Sequence, residues 1–95
     1  MAGLFHWVMG TSQREIENII LALCLERGPG KTICPSEVAR ALDEAEDVWR
    51  ALMPLVRNVA QRLAQQGQIA IYSKGSVRPD HDIAGVIRLG LPPEA

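Results

Sequence analysis

The stretch from Trp49 to Leu63 constrains this chain more than any other. Trp49, Leu52, Met53, Val56, Val59, Ala60 and Leu63 recur at steps of three and four residues without losing phase. An amphipathic helix puts all of them on one side. Pro54 falls on the opposite, outward side. The spacing therefore predicts one helical element from about Asp47 to Gln66, kinked or briefly broken at Pro54, with Gly67 as its C-cap.

Two shorter helices precede it. Ser12-Gln13-Arg14-Glu15 has the S-x-x-E form of a capping box ahead of an apolar run. The helix it opens is expected to reach about Arg27 and stop at Gly28-Pro29-Gly30, with Ile16, Ile19, Ile20 and Leu23 as its core stripe. Leu21 and Leu25 lie on its other side and need cover. Lys31-Thr32-Ile33 is short enough for an edge strand. Pro35 then suits a first helical position, and Ser36 to Leu42 completes a second helix. The acidic run Asp43 to Asp47 reads as a turn plus the first turn of the long helix, where the dipole favours carboxylates.

Beyond Gly67 the pattern changes period. Gln68 to Tyr72 alternates with Ile69 and Ile71 on one face, and Val86 to Leu91 alternates with Ile87, Leu89 and Leu91 together. Residues 73–85, rich in Ser, Gly, Pro and Asp, read as a loop between them. Helix, short strand, helix, helix, strand, loop, strand is the order of an α+β winged helix-turn-helix: three helices plus a small antiparallel sheet with one wing. A three-helix bundle leaves the two alternating segments unexplained. We assign residues 11–93 to this domain and residues 1–10 to an apolar N-terminal arm.

Ninety-five residues suit one domain. No apolar run approaches the roughly 18–20 residues of a membrane span, and the apolar opening lacks the basic start of a secretion signal. Cys24 and Cys34 form no CxxC pair and have no neighbouring histidine, so reduced thiols of a cytoplasmic protein are expected. The net charge of −1 hides an asymmetry. Residues 1–47 carry four basic and eight acidic side chains, whereas residues 48–79 carry Arg50, Arg57, Arg62, Lys74 and Arg78 and no acid.

Ile33-Cys34-Pro35-Ser36-Glu37-Val38-Ala39-Arg40-Ala41-Leu42, followed by Trp49 to Pro54 and Val56-Arg57, resembles a bacterial family of uncharacterised small winged-helix proteins. The likeness continues through Ala60, Leu63, Ala64, Gly67, Ile69, Lys74-Gly75 and Ile87-Arg88, over about residues 14–93. The resemblance implies the fold and a bacterial origin. That family has no established activity, so no functional residues carry over. Asp80-His81-Asp82-Ile83 is more acidic than the family pattern, which argues against a wing that grips phosphate along its whole length.

The outward face of the long helix holds the candidate chemistry. Arg50, Arg57, Asn58, Gln61, Arg62 and Gln65 point away from the core stripe, all can donate hydrogen bonds, and none is acidic. Arginine suits guanine edges and phosphates, while asparagine and glutamine suit adenine edges. In a winged helix this element enters the major groove, with Lys74 and Arg78 of the wing on the backbone. Charge reversal at Arg57 and Arg62 is then expected to abolish binding with thermal stability nearly unchanged. The plain alternative is a solvated helix face, since Arg and Gln are good helix formers.

Other motifs read as structural. Gly30-Lys31-Thr32 ends like a phosphate loop, but Leu25 stands where that motif needs glycine and a helix precedes it where a strand is required. Cys34 at a helix start reads as a partly buried structural thiol. Asp80-His81-Asp82 reads as a solvated turn, so no metal, cofactor or enzymatic activity is expected. The arm, with Phe5 and Trp7, either folds back over Leu21 and Leu25 or crosses to a second copy, and the homodimer is preferred. The expected function is a DNA-binding, regulator-like module. The alternative is a protein-interaction winged helix using the arm or the acidic residues between Glu37 and Asp47.

Overall fold

A computed structural model describes residues 12–93. Helix α1 (Gln13–Arg27) begins as its sequence dictates: the Ser12 hydroxyl accepts the Glu15 backbone N–H at 3.1 Å. Strand β1 (Thr32–Ile33) follows, then helix α2 (Pro35–Leu42) with Pro35 in its first turn. The Glu37 carboxylate reaches back to the Cys34 N–H at 2.8 Å and binds Arg27 of α1 at 2.6 Å. One side chain thus caps α2 and ties it to α1. The Cys34 hydrogen bond is the chief reason that the Glu37 carboxyl is held below its ordinary range; Arg27 and Arg88 add to this, and partial burial opposes it.

Helix α3 (Glu46–Gln65) runs unbroken through Pro54. Of the expected kink or brief break at Pro54, the break does not occur. Pro54 is exposed, so the hydrogen bond it cannot make falls on the solvent side while the buried stripe keeps the helix in register. At its end Gly67, at φ 78°, donates to the Ala64 carbonyl and Gln68 donates to the Leu63 carbonyl, both at 3.0 Å. This pair of bonds is a Schellman cap.

Strands β2 (Ala70–Ser73), β3 (Ser76–Val77) and β4 (Arg88–Gly90) complete an antiparallel sheet in the order β1-β4-β2-β3. Among the described residues, three helices and this small four-stranded sheet form an α+β fold compatible with a winged helix. The loop expected over residues 73–85 is corrected in part, because β3 lies within it. Ser73 pairs with Ser76 across Lys74 and Gly75, whose φ angles of 52° and 83° are the two positive values of a type I′ hairpin.

One core fills the space between helices and sheet. Ile16, Ile20 and Cys24 of α1 meet Val38 of α2, Val56, Ala60 and Leu63 of α3, and Ile33, Ile71 and Leu89 of the sheet. Burial on α1 follows the four-residue row 16, 20, 24, so Cys24 is fully enclosed while Ile19 and Leu23 are half-buried at its margin. Trp49, Leu52 and Met53 also lie at the margin, where the first turns of α3 extend past the core. Among the described residues no helix is long and apolar enough to cross a membrane.

Candidate nucleic-acid interface

Eight side chains were expected to face a nucleic acid, and the fold divides them into two groups. The first group binds other parts of the protein. Arg57 donates through Nη2 to the Ile83 and Gly85 carbonyls, the latter at 2.7 Å. One turn along α3, Gln61 donates to the His81 carbonyl at 3.1 Å. From the far end of the loop, Arg78 donates through Nη1 to the Asp82 and Ala84 carbonyls at 3.0 and 2.8 Å, with the Asp82 carboxylate 3.7 Å away. Five successive backbone carbonyls, 81 to 85, are therefore gathered by two arginines and one glutamine. Arg50 binds Glu46 at 2.8 Å and lies over the Trp49 ring, whose other stacked cation is Arg40 at 4.7 Å from the centroid.

The second group faces solvent. Asn58, Arg62 and Gln65 lie one turn apart on the outer side of α3, and Lys74 stands at the tip of the β2–β3 hairpin. All four are exposed, and none has a hydrogen-bond or ion-pair partner among the described residues. The loop held by Arg57 and Gln61 occupies one flank of α3 and leaves the remaining strip open.

The acids also have a definite place. Asp43, Glu44, Glu46 and Asp47 are all exposed at the α2–α3 turn and the start of α3. Glu46 has Arg50 as a partner, and an Asp43 carboxylate oxygen accepts the Ala45 N–H at 2.9 Å. Helix α3 is thus acidic at its first turn and donor-rich over its second half.

The oligomer candidates also divide. Leu21 is half-buried against the core, whereas Leu25 is 67% exposed. Phe5 and Trp7, with the whole arm, lie outside the described residues. The expectation that Arg57 can be reversed without structural cost is corrected: its guanidinium holds the 81–85 loop. Sequence reasoning passed over Arg88. Strand alternation puts it on the face opposite Leu89, and it stands directly across from Tyr72. The alternation of Ile87, Leu89 and Leu91 is the signal that marks this outer position.

The family described as a protein of unknown function, DUF3253, matches residues 13–92. The chain belongs to the DUF3253 family. No curated protein matches it. The matched span of this DUF3253 domain runs from the first residue of α1 to just beyond β4, so it takes in the whole helical layer, the sheet and the stapled loop.

Proposed function

We propose that this DUF3253 domain is a bacterial, cytoplasmic winged-helix module that binds duplex DNA and catalyses no reaction. One observation carries the reading. Residues 48–79 contain five basic side chains and no acid, and Asn58, Arg62, Gln65 and Lys74 are exposed without partners among the described residues. Unpaired cations beside neutral donors suit a phosphate backbone, and the Asn and Gln amides suit adenine edges.

The acidic first turn of α3 shifts the footprint. A helix-turn-helix usually offers the N-terminal residues of its recognition helix to the bases. Here four carboxylates would meet phosphate repulsion at that end, so contact is assigned to the second half of α3 and the hairpin tip. With so few cations, affinity is weak at physiological salt. The test is fluorescence anisotropy of a labelled random duplex at low salt. The wild-type chain is expected to bind, and Arg62→Glu to lose binding with its melting temperature kept. Equal binding by Arg62→Glu would refute the assigned surface.

A second reading draws on those same carboxylates. Asp43, Glu44 and Asp47 are exposed with no cationic partner among the described residues, and such a patch fits a basic segment of another protein. Recovery of one host protein after nuclease treatment, lost on Asp47→Lys, would favour it over DNA.

A further inference from the structure

A pocket of about 230 Å³ opens on the outer face of the sheet, lined by Gly30, Thr32, Tyr72, Lys74, Gly75 and Arg88. It shares only Lys74, at the hairpin tip, with the proposed DNA surface, and it does not rest on DNA binding. Strand register builds it. Thr32 and Ala70 both pair with Gly90, and Tyr72 pairs with Arg88, so these positions share one face while Ile33, Ile71 and Leu89 face the core.

Gly90 leaves the space that the Tyr72 ring fills. A Cβ there would stand 2.9 Å from the Lys31 carbonyl oxygen and 3.1 Å from the Tyr72 ring. The ring is fixed at its far end, where its hydroxyl donates to the Leu91 carbonyl at 2.7 Å. Arg88 is fixed as well: Nε donates to the Thr32 hydroxyl oxygen at 2.6 Å and Nη2 to the Thr32 carbonyl at 3.2 Å. A guanidinium has five N–H donors, so three remain on a group whose position is already set. The Thr32 hydroxyl accepts from Arg88 and keeps its own proton to donate.

Among the described residues, no carboxylate lines this pocket. Glu37, the acid whose carboxyl responds to Arg88, is bound by Arg27 at 2.6 Å and by the Cys34 N–H. Lys74 adds an ammonium group without a partner among the described residues. A planar carboxylate can be saturated by the guanidinium alone, whereas a tetrahedral phosphate offers oxygens to donors on several sides. The volume is below the roughly 300 Å³ where pockets for drug-sized ligands begin, which suits a small anion.

We propose that this pocket binds a phosphate monoester, held between Arg88 and Lys74 with the Thr32 hydroxyl as a third donor and the Tyr72 ring as an apolar wall. A nucleic-acid strand offers phosphate as a diester instead, and the probes separate these two sources. Backbone-amide NMR titrations of the full chain use phenyl phosphate, dimethyl phosphate as a stand-in for a backbone diester, and acetate. Phenyl phosphate is expected to give saturable shifts at Thr32, Tyr72 and Gly75, binding about tenfold more tightly than the other two.

Arg88→Gln and Lys74→Asn are each expected to weaken phenyl phosphate binding by about tenfold. Asparagine tolerates the positive φ of the turn, so Lys74→Asn decides the matter if loss of the Thr32 anchor unfolds the Arg88 variant. Absence of saturable shifts, equal binding of acetate, or an unaffected Lys74→Asn would overturn the proposal. Tighter binding of dimethyl phosphate would overturn the monoester and assign the pocket to a strand. Arg62→Glu should leave phenyl phosphate binding intact, so failure on duplex DNA and failure here are separate results.

Discussion

Cys24 sits at 1% exposure between α1 and the core, and burial raises its thiol pKa from 9.0 to about 11. The Arg27 charge only partly offsets that shift. In the unfolded chain the thiol ionises near its ordinary value, whereas in the folded chain it stays protonated. Stability is therefore intact below pH 9 and falls as pH rises towards 11, by at most ~2–3 kcal/mol from this group. Chemical denaturation at pH 8 and pH 10.5 should show this loss, and Cys24→Ala should remove that share of it at a cavity cost of about 1 kcal/mol. The stripe expected from the sequence, Ile16, Ile19, Ile20 and Leu23, leaves Cys24 beside it. Helical spacing alone could not choose between the rows 16-20-24 and 16-19-23, because the choice depends on how α1 crosses α3.

Among the elements, α3 and the loop that crosses it carry most of the architecture outside the core. Arg57 makes two charge-assisted bonds to loop carbonyls, each in the range of roughly 1.5–3 kcal/mol before solvent exposure reduces it. Arg57→Ala is expected to lower stability by about 1–2 kcal/mol and to speed amide exchange over residues 81–86, as hydrogen-exchange mass spectrometry would show. Unchanged exchange there would mean that the staple does not hold the loop. The elements themselves were legible. The Ser12 cap, the Pro35 start, the Gly67 stop and the phase of the long stripe each act locally, so a linear sequence reveals them. Strand β3 was not legible, because Lys-Gly is a weaker hairpin signal than Asn-Gly and Ser76-Val77 is too short to show a period. The roles of Arg57, Gln61 and Arg78 could not be read either. Their partners are backbone carbonyls 4 to 28 residues away, and carbonyls leave no trace in side-chain patterns.

For the whole molecule the decisive feature is how charge is distributed over a nearly neutral chain. The sequence showed a basic middle and an acidic first half. It placed the acids at the leading end of α3, but it could not show that half of the expected donors would bind other parts of the protein. We propose that the chain self-associates through α1, since Leu25 is 67% exposed beside the half-buried Leu21. Sedimentation velocity on Leu25→Glu should then show a monomer where the wild-type chain is a dimer, with an unchanged melting temperature; equal sedimentation of the two would end that proposal.

The central claim is that the open donors of α3 and the hairpin tip meet DNA phosphates, and the salt dependence of duplex binding tests it most directly. Each neutralised phosphate contributes a slope of about −0.9 in log affinity against log salt. Arg62 and Lys74 together predict about −2 per subunit, and Lys74→Asn should reduce its magnitude by about one. A slope near zero, or one that Lys74→Asn leaves untouched, would contradict the account.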